Sequence, residues 1–223
     1  MNADGMSGVD GVERLTPVAQ DYLKVIWSAT EWGDPPITTK GLATRLGTTQ
    51  ANVSDTVKRL AAQGLVTYES YRPVQLTDEG VRLAVAMVRR HRLIEAFLVG
   101  VLDYGWDEVH DEAEALEHAA SDTLIDRIDA LLGHPVADPH GDPIPAADGS
   151  LRRPKAVRLR ETSGLRRIVR VSDADPEVLA RCGALGIVPD AVVDAGSTPP
   201  ELAASVWVAP DRASTGGTVR PAE

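Results

Sequence analysis

Ten consecutive residues, Val109-His110-Asp111-Glu112-Ala113-Glu114-Ala115-Leu116-Glu117-His118, carry the densest chemistry in the chain. His110, Glu114, Glu117 and His118 follow one another at offsets of four, three and one. At about 3.6 residues per turn their side chains share one stripe of a helix. Two imidazoles and two carboxylates on one stripe are costly unless a cation lies between them. A divalent metal is the simplest such cation. On the preceding helix His91 stands four residues before Glu95, so a ligand pair recurs on a consecutive element. The same residues could instead form a solvated surface in which Arg89, Arg90 and Arg92 pair with the carboxylates.

Catalysis is not expected. The Glu-x-x-His pairs of diiron bundles are absent, because Ala115 stands three residues before His118. The His-Glu-x-x-His signature of zinc proteases is also absent, as are a P-loop, a nucleophile elbow and a glycine-rich dinucleotide turn. The single cysteine, Cys182, permits no internal disulfide and reads as a small buried hydrophobe. No apolar run is long enough to span a bilayer, and Met1-Asn2-Ala3-Asp4-Gly5 does not resemble a secretory signal. A cytoplasmic protein without membrane partners is expected.

The elements that must position these residues are mostly helical. Residues 1–14 lack periodicity and are expected to be disordered. Thr16-Pro17 opens a helix with Val18, Tyr22, Val25 and Ile26 as its apolar stripe, and Gly33-Asp34-Pro35-Pro36 ends it. Thr38 or Thr39 caps a short helix closed by Gly47, and a second short helix spans Gln50 to Leu60. Two short helices around a glycine turn predict a helix-turn-helix. Gly64 to Glu69, a turn at Ser70-Tyr71-Arg72-Pro73, and Val74-Gln75-Leu76 predict a wing. The same segment on a protein-interaction module is the alternative to DNA binding. Thr77 caps a long helix to about Val101, the metal-candidate helix runs from about Asp107 to Ala119, and another from Asp122 to Leu132. After a linker near 146–150 the pattern changes to short strands, predicting a β-barrel of about 60 residues, with a tail after about Val208.

The formal net charge of −10 argues against casual DNA binding, because non-specific affinity comes from neutralising phosphates. Basic residues must therefore gather on one face, or a bound cation must help. Thr49, Gln50, Ala51, Asn52, Ser54 and Asp55 at the start of the second short helix are candidates for base edges, with Lys58, Arg59 and Arg72 toward phosphates. A helix cap is the competing reading of Thr49, and rejection of phosphate that of Asp55.

The chain resembles the diphtheria-toxin-repressor family of metal-dependent transcriptional regulators. The resemblance is carried by Ala19-Gln20-Asp21-Tyr22-Leu23, Arg90-His91-Arg92-Leu93-Ile94-Glu95, Val109-His110-Asp111-Glu112-Ala113-Glu114 with Glu117-His118, and Gly141-Asp142-Pro143-Ile144-Pro145. It implies a mainly α chain with a small β part: a winged-helix domain at 15–80, a helical metal-binding and dimerisation domain at 81–148, and an SH3-like β-barrel at 149–210 before a tail at 211–223. It further implies a homodimer on double-stranded operator DNA, with two metals per subunit. The implied primary site is Asp21, Glu114, Glu117 and His118. The implied ancillary site is His91, Glu95 and His110, completed by Asp175 and Glu177 as candidates.

Iron-responsive members of that family carry methionine where Asp21 stands and cysteine where Glu114 stands. The manganese-responsive branch carries carboxylates at both. Hard oxygen ligands suit manganese(II), so the resemblance implies a manganese(II)-dependent repressor of metal-homeostasis genes. An iron(II)-dependent regulator, or a metal-binding interaction protein, is the alternative. Lys24 stands where the short two-domain manganese regulators have a further glutamate. A cation cannot ligate a cation, which favours separate primary and ancillary sites over a coupled dinuclear one.

Overall fold

The computed structural model describes residues 11–69 and 72–210. Expectations for residues 1–10, for Ser70-Tyr71 of the wing turn and for the 211–223 tail lie outside the described residues. The chain divides into two compact units, Met1–Arg152 and Arg153–Glu223.

In the first unit, α1 (Pro17–Glu31) starts where the Thr16 hydroxyl accepts the Ala19 amide and Pro17 supplies a preset φ. α2 (Thr39–Arg45) is capped by Thr38, and α3 (Gln50–Ala62) by Thr49. Gly47 takes φ +59° in the turn between them, a conformation that glycine adopts without strain. β1 (Val66–Thr67) pairs antiparallel with β2 (Gln75–Leu76), matching Val66 with Leu76. This is the expected helix-turn-helix with a small wing. The wing is pinned at Gly80, where a Cβ would lie only 2.0 Å from the Leu65 carbonyl oxygen.

α4 (Asp78–Leu102) is capped by Thr77 and ends at Asp103, whose φ is +56°. It serves two cores. Leu83, Ala84, Met87 and Val88 pack with Leu23, Leu42, Val53, Val57 and Leu60 of the reading head. Leu93, Ile94 and Leu98 pack with Val109, Ala113, Ile125 and Ile128. The last four come from α5 (Val109–Glu117) and α6 (Asp122–Leu131). One rigid helix therefore spans both parts of the unit.

Two expectations here are corrected. Val18 is 51 % exposed and outside the core stripe of α1, which runs through Ala19, Tyr22, Leu23, Ile26 and Trp27. Residues 11–14 contain a 3-10 turn, Val12–Arg14, with Val12 fully buried in the first core. A single apolar anchor in a three-residue turn is too short to register as periodicity.

The second unit holds β3 (Val157–Arg158), β4 (Leu165–Val171), α7 (Pro176–Ala184), β5 (Val192–Asp194), α8 (Pro200–Ala203) and β6 (Val206–Val208). The strands form one antiparallel sheet in the order β3-β6-β4-β5. Among the described residues this sheet is open and does not close into the expected barrel, because β3 and β5 at its two edges do not pair. Leu159, Ile168, Val171, Leu179, Cys182, Leu202 and Val206 are buried in this unit. Cys182 is thus the buried hydrophobe expected, and burial raises its thiol pKa.

Candidate functional site

Asp21, Glu114, Glu117 and His118 offer ligand atoms that all lie within 4.8 Å of one another. Asp21 comes from α1, Glu114 and Glu117 from α5, and His118 closes α5. His91, Glu95 and His110, from α4 and α5, likewise gather within 4.8 Å. Glu95 Oε1 is 3.0 Å from His91 Nε2 and 3.3 Å from His110 Nδ1. The two clusters touch, since His91 Nδ1 is 2.7 Å from Glu117 Oε2. The two groups of candidate ligands are distinct but are joined by this side-chain contact.

Hydrogen bonding orients His118 toward the first cluster. Gln20 Nε2 donates to the carbonyls of Val12 and Leu15, at 3.0 and 3.2 Å. Its Oε1 is thereby fixed as an acceptor, 2.7 Å from His118 Nδ1. This bond turns the other ring nitrogen, Nε2, toward Asp21. That nitrogen is 3.0 Å from Asp21 Oδ1, an oxygen that is buried and accepts no hydrogen bond. A buried carboxylate oxygen without a hydrogen bond, beside an imidazole nitrogen and two further carboxylates, is a donor set that fits a divalent metal.

Protein cations stand among these carboxylates. Lys24 Nζ donates to Glu114 Oε1 at 2.5 Å and Glu117 Oε1 at 2.6 Å. Burial would lower the Lys24 pKa, but Glu117 and Glu114 outweigh it and hold the ammonium above its ordinary value. Burial also opposes the charged form of His91, yet the Glu95 carboxylate beside it leads the groups that push it up to about 10. An imidazolium donates to Glu117 and Glu95 at once. Burial raises the Asp21 carboxyl above its ordinary value despite His118 and Lys24. Glu95 is fully buried, but His91 opposite holds it well below the usual carboxylate range.

The arginines that could have neutralised these ligands are engaged elsewhere. Arg89 binds Asp129 at 2.9 Å and the Pro145 carbonyl at 3.0 Å. Arg90 binds Asp122 and the Ala120 carbonyl. Buried Arg92 binds both Glu31 oxygens, the Pro143 carbonyl at 2.7 Å and Asp142 at 3.3 Å. The Arg-paired surface is therefore not what these residues form.

Asp175 and Glu177 lie in the second unit. Asp175 is the N-cap of α7, its Oδ1 accepting the amides of Glu177 and Val178. Asp-Pro-Glu is a capping sequence, and that role accounts for Asp175 within its own unit.

On the reading head, Thr49, Gln50, Ala51, Asn52, Asp55, Lys58, Arg59 and Arg72 are exposed, and Ser54 is half-buried. Thr49 is the helix cap, accepting the Asn52 amide at 3.2 Å. Asn52 Nδ2 donates to Thr48 Oγ1 at 3.2 Å, Ser54 donates to the Gln50 carbonyl, and Arg59 donates to Thr56. Asp55 lies 3.8 Å from Lys58 Nζ. Asp21 lines a cleft together with Asn52, Asp55, Thr56 and Arg59, so a candidate ligand and the reading helix border the same space. Sequence reasoning gave Gln20 no role. Its place directly before Asp21 in Ala19-Gln20-Asp21 was the available signal.

Comparisons with known proteins agree with this geometry. The family described as "Iron dependent repressor, N-terminal DNA binding domain" matches residues 14–74, and "Iron dependent repressor, metal binding and dimerisation domain" matches residues 77–146. The iron-dependent repressor IdeR of Mycobacterium leprae is 33 % identical over 199 residues, covering 83 % of this chain and 86 % of the relative. The diphtheria toxin repressor of Corynebacterium diphtheriae is 37 % identical over 134 residues, 60 % of this chain and 59 % of that protein. Among solved structures, a manganese-dependent transcriptional repressor in complex with manganese is 46 % identical with a TM-score of 0.79, covering 86 % of this chain and 99 % of that chain. The manganese regulator SloR is 29 % identical with a TM-score of 0.73, covering 87 % of this chain and 99 % of that one. The chain belongs to the iron-dependent repressor, or diphtheria-toxin-repressor, family of metal-dependent, DNA-binding transcriptional repressors, which are not enzymes.

Proposed function

We propose that this protein is a manganese(II)-dependent repressor of metal-homeostasis genes, acting in the cytoplasm as a homodimer on operator DNA. The observation that carries the metal assignment is the donor set. Asp21, Glu114, Glu117 and His118 present oxygen and nitrogen atoms only, and hard oxygen ligands suit manganese(II). The second cluster, His91, Glu95 and His110, is the proposed ancillary site. The relatives named as iron-dependent repressors favour iron(II) as the second reading.

A bound divalent cation would supply positive charge among the carboxylates. Asp21 belongs to the helix that packs under the reading head, while Glu114, Glu117 and His118 belong to the helix pair behind it. Four ligands converge only when α1 lies against α5, so ligation and the placement of the head are one event. That placement sets the separation of two reading helices in a dimer, which must match half-sites spaced by turns of DNA. Ligation shifts the equilibrium only as far as the closed arrangement is favoured over the open one. Leu124 and Leu131, seven residues apart on α6, are 49 % and 66 % exposed and would lie in the dimer contact. We read 15–80 as the DNA reader, 81–148 as the metal-binding and dimerisation part, and the C-terminal unit as an open relative of the SH3-like module.

Fluorescence anisotropy with short genomic duplexes, at one salt concentration, tests the proposal in chelator, manganese(II) or anaerobic iron(II). Tight sequence-selective binding is expected with manganese alone. An equal response to iron would overturn the metal assignment, and no response to either would overturn metal control of DNA binding.

A further inference from the structure

The geometry points to Lys24 as a tethered counter-ion of the primary metal site: its ammonium lies where it competes with the cation for Glu114 and Glu117, and so sets how much metal the protein needs. This inference rests on reading the cluster as a metal sensor. Lys24 stands three residues after Asp21, one turn along α1. Its side chain is only 8 % exposed. The ammonium reaches across to α5, 2.5 Å from Glu114 Oε1 and 2.6 Å from Glu117 Oε1, and lies 3.5 Å from His91 Nδ1. Those two glutamates are half of the four-residue ligand set.

Two consequences follow from charge and connectivity. First, Lys24 links α1 to α5 through the same carboxylates that ligation would use, a cationic tie supplied by the protein itself. Second, an ammonium and a divalent ion repel at these distances and compete for the charge of the same two carboxylates. The flexible four-carbon stem lets the ammonium swing away, whereas a planar guanidinium would be held by its fixed fork. Ligation therefore includes breaking the Lys24 pairs, and that cost weakens apparent affinity. A purely structural ion pair, left in place when metal binds, would give the opposite behaviour.

The test uses the full chain stripped of metal, as wild type, Lys24→Met and Lys24→Gln. Manganese(II) binding is followed by calorimetry, and thermal unfolding of the metal-free forms by circular dichroism. Both variants should bind manganese about tenfold more tightly or better, and should melt at a lower temperature without metal. Affinity within roughly twofold of wild type, or weaker, overturns the inference while leaving the sensor reading intact wherever wild type still responds to metal. Failure of wild type and variants alike to bind any divalent cation overturns both. If the variants do not fold, the wild type decides by NMR of its lysine ammonium groups with diamagnetic cadmium(II). An exchange-protected Lys24 signal that vanishes on titration supports displacement, and one that persists overturns it.

Discussion

At the scale of single residues, the site is defined as much by what orients the ligands as by the ligands. Gln20 uses both halves of its amide: the nitrogen holds the Val12 and Leu15 carbonyls, and the oxygen fixes His118. Gln20→Leu keeps much of the bulk but removes the acceptor. Groups that orient a metal-binding histidine typically affect affinity about 10–100-fold, and a loss of that size is expected in a manganese titration. Unchanged affinity would mean that the α5 backbone alone positions His118. Ligand type makes a separate prediction. Asp21→Met combined with Glu114→Cys replaces two hard donors by sulfur and should move the manganese/iron affinity ratio toward iron. An unchanged ratio would show that donor softness is not the selector. The clustering on α5 was legible in the sequence because helical spacing forces His110, Glu114, Glu117 and His118 to one side, whereas Asp21 entered only through the family resemblance. The role of Lys24 was half legible: the sequence showed that it could not ligate, but only the fold shows which carboxylates it meets.

At the scale of elements, α1 is fastened to the rest of its unit by side chains outside the candidate ligand set. Arg92 on α4 joins Glu31 at the end of α1 to Pro143 and Asp142 of the segment after α6, and lies 5.7 Å from the Trp27 ring. Trp32 Nε1 adds a 2.7 Å bond to Asp142. Breaking a buried ion pair by removing one partner costs ~3–5 kcal/mol, because the other charge is left buried and unpaired. Arg92→Met should lower the stability of the metal-free protein by about that amount in urea unfolding. A second joint is acid-sensitive. Burial would raise the Asp129 carboxyl, but hydrogen bonds from His134 and Arg89 outweigh it and hold it below the ordinary 3.8. A depressed folded-state pKa gives stability that is full above the unfolded value and is lost as pH falls through the folded one. The stability gap between wild type and Asp129→Asn should therefore narrow as pH is taken from 5 to 3. A gap that is flat across that range would show that the Asp129 charge contributes nothing. Helices α1 to α4 and α6 were legible because caps at Thr16, Thr38, Thr49, Thr77 and Ser121 mark their starts, and α5, which has no side-chain cap, through its His/Glu spacing. The C-terminal strands were less so. β3, β5 and β6 are two or three residues long, too short for alternation to show whether a sheet closes.

At the scale of the whole molecule, the question is how a chain of net charge −10 holds a polyanion. The reading head answers locally. Lys58 and Arg59 are exposed on α3 and Arg72 is exposed in the wing turn, and Asp55 and Lys58 lie close enough to soften each other's field. The acidic excess elsewhere suppresses non-specific binding and leaves selectivity to the few contacts at the head. Phosphate contacts and base contacts then predict different signatures. Arg72→Ala should weaken binding to all duplexes alike and reduce the slope of log affinity against log salt by about 1. Asn52→Ala should leave that slope unchanged and lower discrimination at one base pair by about 1–3 kcal/mol, since its amide can pair with an adenine edge once it turns from Thr48. Anisotropy titrations of both variants between 50 and 200 mM salt, with saturating manganese, separate the two. A steeper loss of discrimination in Arg72→Ala than in Asn52→Ala would invert the assignment and put the wing, rather than the start of α3, on the bases.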